Sequence, residues 1–301
     1  MTDFGPFRHI PYSREPVSAS RRLNGVEEII VGSEALAAGV VTRQTLRTKY
    51  VKLHYNVYAR AGMRLDATDR ARAAWLWSRR TATLVGSSAA AMHGSLWLPD
   101  HVPAELAHAR QPAPPGILIH RGAIADDEIC LVASIYCTTP ARTAYDIGRR
   151  VRADTSIIRI DALLNATRCT VADVGRIADR YPGVRGIRRL RAALDRAGGG
   201  AESPKETELR LLLVRDGLPR PVTQVQVGKR RIDMGWPEWK VGVEYDGAQH
   251  WTDAERHAED IERLEYLAAQ GWTIVRVSAR QLRYDRPGIV MRVRRALAQY
   301  L

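Results

Sequence analysis

Cysteine is scarce: Cys130, Cys137 and Cys169 are the three in 301 residues, and no two form a CxxC pair. A zinc ribbon and a disulfide framework are therefore not expected, and an odd number of free thiols fits a reducing cytoplasm. No run of eighteen apolar residues occurs, so no membrane partner or spanning helix is expected. Met1-Thr2-Asp3-Phe4-Gly5-Pro6 lacks the basic stretch and apolar core of a secretory leader. Internal repeats are absent. Acid is also in short supply, with 33 Asp and Glu against 46 Lys and Arg, a formal net charge of +13. Such an excess points to a polyanionic partner, most often nucleic acid. With 45% hydrophobic and 26% charged residues the chain is an ordinary folded one, long enough for two or three domains.

The charge is uneven. Residues 201–301 hold 17 basic and 15 acidic residues, which leaves a net +11 on residues 1–200. The electrostatic grip is thus expected upstream. Residues 1–25, with Pro6, Pro11 and Pro16 and no hydrophobic period, read as a basic arm. Val26, Ile29 and Ile30 fit a short helix, Ser33 caps a second that stops at Gly39, and Thr42 caps a third, Arg43–Arg47. Residues 50–53 and 56–59 then alternate as a hairpin does. Three short helices and a hairpin over 26–62 are the order of a winged helix-turn-helix. Arg43, Gln44, Arg47, Lys49 and Lys52 are its expected DNA contacts. Residues 63–197 read as a mixed α/β middle domain. It has a helix from Thr68 to about Thr81, strand-like runs at 116–120 and 129–136, and three short helices over 154–197. Gly198-Gly199-Gly200, in a linker over 198–201, is the expected boundary of a third domain, 202–301.

Ala35–Val40 with Thr45-Leu46, Gly86–Gly94 and Thr139–Asp146 resemble the AbiEi family of type IV antitoxins over roughly residues 26–150. The resemblance implies an operator-binding winged helix and leaves room for a cognate toxin or regulatory partner. His93 reads more simply as a packing residue.

Beyond the glycines the pattern is α-β-β-β-α-β-α. Asp233 ends the second strand and Glu244 lies on the third, beyond the turn Gly235–Trp239. Asp246 shares a strand face with Glu244 by the period of two. A largely apolar strand ending in two acids is costly unless a cation compensates them, and hard oxygens suit Mg²⁺ or Mn²⁺ over zinc. Ser203–Glu206, Arg231–Asp233, Val243–His250, Asp260–Arg263 and Gly271–Val277 together resemble the PD-(D/E)XK nuclease superfamily, in its very-short-patch-repair (Vsr) endonuclease-like branch. The resemblance implies a restriction-endonuclease-like core and makes Asp233 and Glu244 metal ligands. Asp246 stands where the superfamily has its lysine, so His250 becomes the candidate base.

Simpler readings stand beside these. Glu206, three residues after Ser203, fits a capping box, and Asp246-Gly247 fits a turn. Asp260 and Arg263 fit an exposed i,i+3 pair, and the tryptophans fit packing. Arg263 is expected to face the site and contact phosphate, and Arg276, on an apolar strand, to pair with a carboxylate or a phosphate. The expectation is a multidomain α/β protein that cleaves DNA with Mg²⁺ or Mn²⁺, monomeric or homodimeric. The rival is a non-catalytic AbiEi-type regulator with a degenerate nuclease fold.

Overall fold

The computed structural model describes residues 22–23, 26–99, 101–108, 112–247, 254–298 and 300. Most of the expected basic arm and His250 lie outside them. The chain forms two compact units, Met1–Ile147 and Gly148–Leu301. Among the described residues no helix is long and apolar enough to cross a membrane.

In the first unit β1 (Arg22–Leu23) pairs with β2 (Val26–Glu27), and β3 (Ile29–Val31) precedes α1 (Gly32–Ala37) and α2 (Arg43–Lys49). β4 (Tyr50–His54) and β5 (Val57–Arg60) form the expected hairpin, and the sheet order is β3-β5-β4. The short helix expected over Val26–Ile30 is strand instead, so two helices and a three-stranded sheet stand where three helices and a hairpin were predicted. The reason is two-sided burial. Ile29 packs into a core with Val57 and Ala59, whereas Ile30 packs into another with Ala35 and Val41. Alternate residues reach opposite faces only on a strand. Thr42 caps α2 as expected, with its side chain accepting from the Thr45 N–H at 3.0 Å. Ser33 is not a cap; it lies inside α1, and its N–H donates to Asn56 Oδ1 at 2.9 Å, tying the helix to the hairpin turn.

Next come α3 (Ala67–Trp77), β6 (Thr83–Leu84), α4 (Gly86–Met92), β7 (Ala104–Ala107), β8 (Ile117–His120), β9 (Ile129–Val132), β10 (Ile135–Thr138) and α5 (Pro140–Arg150). The sheet order is β8-β7-β6-β10-β9. The single run predicted over 129–136 is a hairpin, because Ala133 and Ser134 both take left-handed backbone (φ 48° and 62°). Cys130 faces Cys137 across it, and all three cysteines are free. His93 Nε2 donates to the Thr138 carbonyl, 2.8 Å away, in keeping with a packing role. Arg142 is buried and binds both Glu128 and Asp146.

The second unit holds α6 (Ala153–Ala166), α7 (Val171–Arg180), α8 (Ile187–Leu194), α9 (Pro204–Arg215), β11 (Val222–Val227), β12 (Arg230–Trp236), β13 (Val241–Asp246), α10 (Ala254–Ala269), β14 (Thr273–Ser278), α11 (Ala279–Tyr284) and α12 (Arg286–Leu297). The predicted α-β-β-β-α-β-α order is present, with α11 added before the last helix. β11-β12-β13 are antiparallel and β14 joins β13 in parallel. Leu209, Leu213, Val243, Val277 and Ile289 build the main core, and Leu267 of α10 packs with Val225 and Ile232 in a second.

The glycine run does not coincide with the division between units, which falls inside α5. The Gly198 and Gly199 N–H groups donate to Asp161 Oδ1 at 3.0 and 3.2 Å. Asp161 Oδ2 accepts from Arg210 Nη2 at 2.7 Å and from Thr207 Oγ1 at 3.1 Å, all deeply buried. Gly199 and Gly200 take φ of +65° and +81°, which favours glycine over any residue with a side chain. The charge divides accordingly. Residues 148–200 hold 12 basic and 5 acidic residues, so the second unit carries a net +9 and the first +4.

Candidate functional site

The acids gather at the start of α9 and along β12 and β13. Ser203 caps α9, accepting from the Glu206 N–H at 3.2 Å and donating to Glu206 Oε1 at 2.8 Å. Glu206 therefore does take part in capping, although its Oε2 accepts the N–H of Glu202, at 2.8 Å, in place of the cap residue's own. Gln224 Nε2 of β11 also donates to that Oε2, at 3.1 Å. Burial raises the Glu206 pKa above its ordinary value, against the pull of these donors.

Asp233 lies one residue before the Met234–Val243 rung of β12 and β13, and its Oδ2 accepts the Tyr245 N–H at 2.8 Å. Its carboxyl is pushed up to about 7, by burial first and then by the neighbouring charges of Glu206 and Glu244. The strands thus bring the predicted acids together. Glu244 is buried and bound by both terminal nitrogens of Arg263, with Nη2 to Oε2 at 2.8 Å. Arg263 also holds Asp260 Oδ1 at 2.8 Å. Arg276 holds Asp246 Oδ2 at 2.8 Å and Asp260 Oδ2 at 2.9 Å.

The network excludes two of the simpler readings. Asp246 is an ion-pair partner of Arg276 on the strand, not a turn residue. Asp260 and Arg263 are not a bare surface pair; with Arg276 they link α10 and β14 to both strand acids. Arg276 pairs with carboxylates, one of its two expected partners, whereas Arg263, expected at phosphate, binds carboxylates here. Among the described residues no three carboxylates, imidazoles or thiols stand close enough to ligate one ion. The donor chemistry still fits a hard divalent cation, since Asp233 and Glu244 offer carboxylate oxygens on adjacent strands.

Residues 206–297 match a restriction endonuclease-like family model, REase_MTES_1575, and residues 81–196 match the AbiEi antitoxin C-terminal domain. The chain joins an AbiEi-type domain to a restriction endonuclease-like domain. The AbiEi match lies further along the chain than the 26–150 expected, and it leaves out the helix–hairpin segment. Two proteins of Mycobacterium tuberculosis, Rv2248 of strain H37Rv and MT2308 of strain CDC 1551, are similar and are described only as uncharacterized. Each is 29% identical over 187 residues, covering 60% of this chain and 68% of its own length.

In the first unit α2 buries none of its residues, which leaves Arg43, Gln44, Arg47 and Lys49 exposed side by side. Lys52 is exposed on β4, with Nζ 5.7 Å from the centre of the Tyr55 ring. Sequence reasoning missed Gln224 and the Glu202 amide. Pro221–Val227 reads as a plain alternating strand, and no residue-type signal marks Gln224 within it.

Proposed function

We propose that the restriction endonuclease-like domain hydrolyses DNA phosphodiesters with Mg²⁺ or Mn²⁺, held by Asp233 and Glu244. The observation that carries this reading is the carboxyl of Asp233, raised to about 7 among Glu206 and Glu244. Surplus buried acid of this kind is costly in a purely structural role and useful around a cation. The cation supplies Lewis-acid stabilisation of phosphate charge and an activated water. The Tyr245 N–H fixes the aim of Asp233, and Glu206 completes the acidic wall. Glu244 becomes available on leaving Arg263, which then has a guanidinium to offer the phosphate. His250 takes the role of base in place of the absent lysine.

The test is nicking of supercoiled plasmid with Mn²⁺ or with chelator. Wild type should nick only with metal, and Asp233→Asn or Glu244→Gln should lower the rate at least a hundredfold. Undiminished nicking by either variant overturns the assignment.

Asp246 in the lysine position and the hold of Arg263 on Glu244 favour a second reading, a non-catalytic regulator whose nuclease fold only binds DNA. The AbiEi-type domain adds a cognate toxin as a partner class, and self-association as a homodimer fits either reading. The grip on DNA is ascribed to both units. Arg43→Glu/Arg47→Glu and Arg188→Glu/Arg189→Glu should each reduce the slope of log affinity against log salt by about 2. An unchanged slope for the first pair removes α2 from the interface, and for the second pair α8.

A further inference from the structure

Among the described residues Gln224 is the one side-chain-bearing residue that takes left-handed backbone (φ 53°) inside a strand. Asn56, Ala133, Ser134 and Lys240 do so in turns, Arg79 and Arg80 just beyond α3, and Trp97 in a loop. An inserted residue does not account for it. Thr223 faces Met234 and Val225 faces Ile232, so the register is the same on both sides of position 224 and no residue is inserted, although the paired rungs skip position 224 itself. The rungs on either side put Asp233 at the same level on β12, where the pairing is interrupted. The unusual backbone thus lies at the level of the most perturbed acid of the site.

Its side chain explains the placement. Glu206 and Asp233 are close enough to repel one another, and Glu206 keeps its position through three donors. The Ser203 hydroxyl and the Glu202 N–H belong to the start of α9 itself, and Gln224 reaches over from the sheet. It therefore fixes where the helix acid stands relative to the strand acid. The left-handed backbone coincides with the gap in the ladder while the side chain reaches Glu206, and backbone strain of this kind is kept where function needs it.

We propose that Gln224 is a positioning residue of the nuclease site, holding Glu206 against Asp233 from the sheet side. This rests on the metal-dependent reading above. The amide is the right group for the task. It is neutral, so it adds no charge to the acidic wall, and it donates to Glu206 through Nε2 while keeping a carbonyl oxygen, itself a hard donor, beside the site.

The test compares wild type with Gln224→Gly and Gln224→Asn in the full chain. Melting temperature is measured in chelator, Mn²⁺ affinity by titration calorimetry, and nicking at saturating Mn²⁺. Glycine relieves the backbone, so Gln224→Gly should melt about 2 °C higher. The same variant should bind Mn²⁺ about tenfold more weakly and nick at least tenfold more slowly, the usual cost of losing a group that orients a ligand. Asparagine tolerates the left-handed region but is one methylene short, so it should lose affinity to a similar degree with a smaller gain in melting temperature. Wild-type Mn²⁺ affinity in Gln224→Gly, or a fall in its melting temperature, overturns the role of Gln224 and leaves the nuclease reading standing. If wild type itself binds no Mn²⁺ and nicks nothing, the nuclease reading fails and this proposal falls with it.

Discussion

Helix α9 carries two buried charge clusters that are built on opposite lines. On one, Asp161 is met by the Arg210 guanidinium, the Thr207 hydroxyl and the N–H groups of Gly198 and Gly199. On the other, Glu206 stands with Asp233 and Glu244, and the guanidinium at Glu244, Arg263, is shared with Asp260. The first cluster is balanced and saturated with donors. In the second Asp233 is buried beside two further acids, and burial first, then their charge, pushes its carboxyl up to about 7. Burial alone therefore does not tell how well an acid is accommodated; the completeness of its partners does.

The sharpest way to break the comparison is Arg210→Ala. Asp161 would then be a buried charge without its cation, at a cost of about 3–5 kcal/mol, read from denaturant unfolding. A loss under about 1 kcal/mol would place Asp161 with the less well accommodated acids. The opposite sign is expected at Asp233. Its folded pKa is raised from an ordinary 3.8 to about 7, so its favourable contribution is complete below about pH 4 and is lost as pH rises through 7. Asp233→Asn should match wild type near pH 4 and exceed it by about 2 kcal/mol at pH 8 in chelator. A variant no more stable than wild type at pH 8 would show that the acid is not in conflict with its surroundings. The smallest effect sets the baseline. Arg294 and Asp216 form a solvent-exposed pair at 2.6 Å, and Arg294→Ala should cost about 0.5 kcal/mol.

The second unit was the more legible in sequence because its signals are local. Ser203 with Pro204 and Glu206 announces a helix start, and Val241–Val243 before Glu244 announces a buried strand ending in acid. Both features stand where they were expected. The first unit hid more. Ile29 and Ile30 match helix and strand equally well until two separate cores claim them, and sequence spacing does not reveal that. The 129–136 run concealed a turn because Ala133 and Ser134 are not the residues that usually mark left-handed backbone. In the site, acids on adjacent strands could be paired from spacing alone. The arginines that hold Glu244 and Asp246 come from α10 and β14, and their choice of carboxylate over phosphate depends on packing. Gly198-Gly199-Gly200 misled in the same way, since a flexible composition proved to be a fixed set of donors.

That last feature bears on how such a protein can be recombined. The family matches end at 196 and begin again at 206, which makes the glycine run an inviting splice site. A graft that starts there takes Arg210 along and leaves Asp161 behind, so the transplanted helix arrives with an orphaned guanidinium in its interior. The smallest cassette that keeps both ends of the pair reaches back to include α6. For a breeder of chimaeric nucleases, and for lineages that shuffle exons or operon fragments, α6–α8 travel with the nuclease fold even though their sequence belongs with its neighbour.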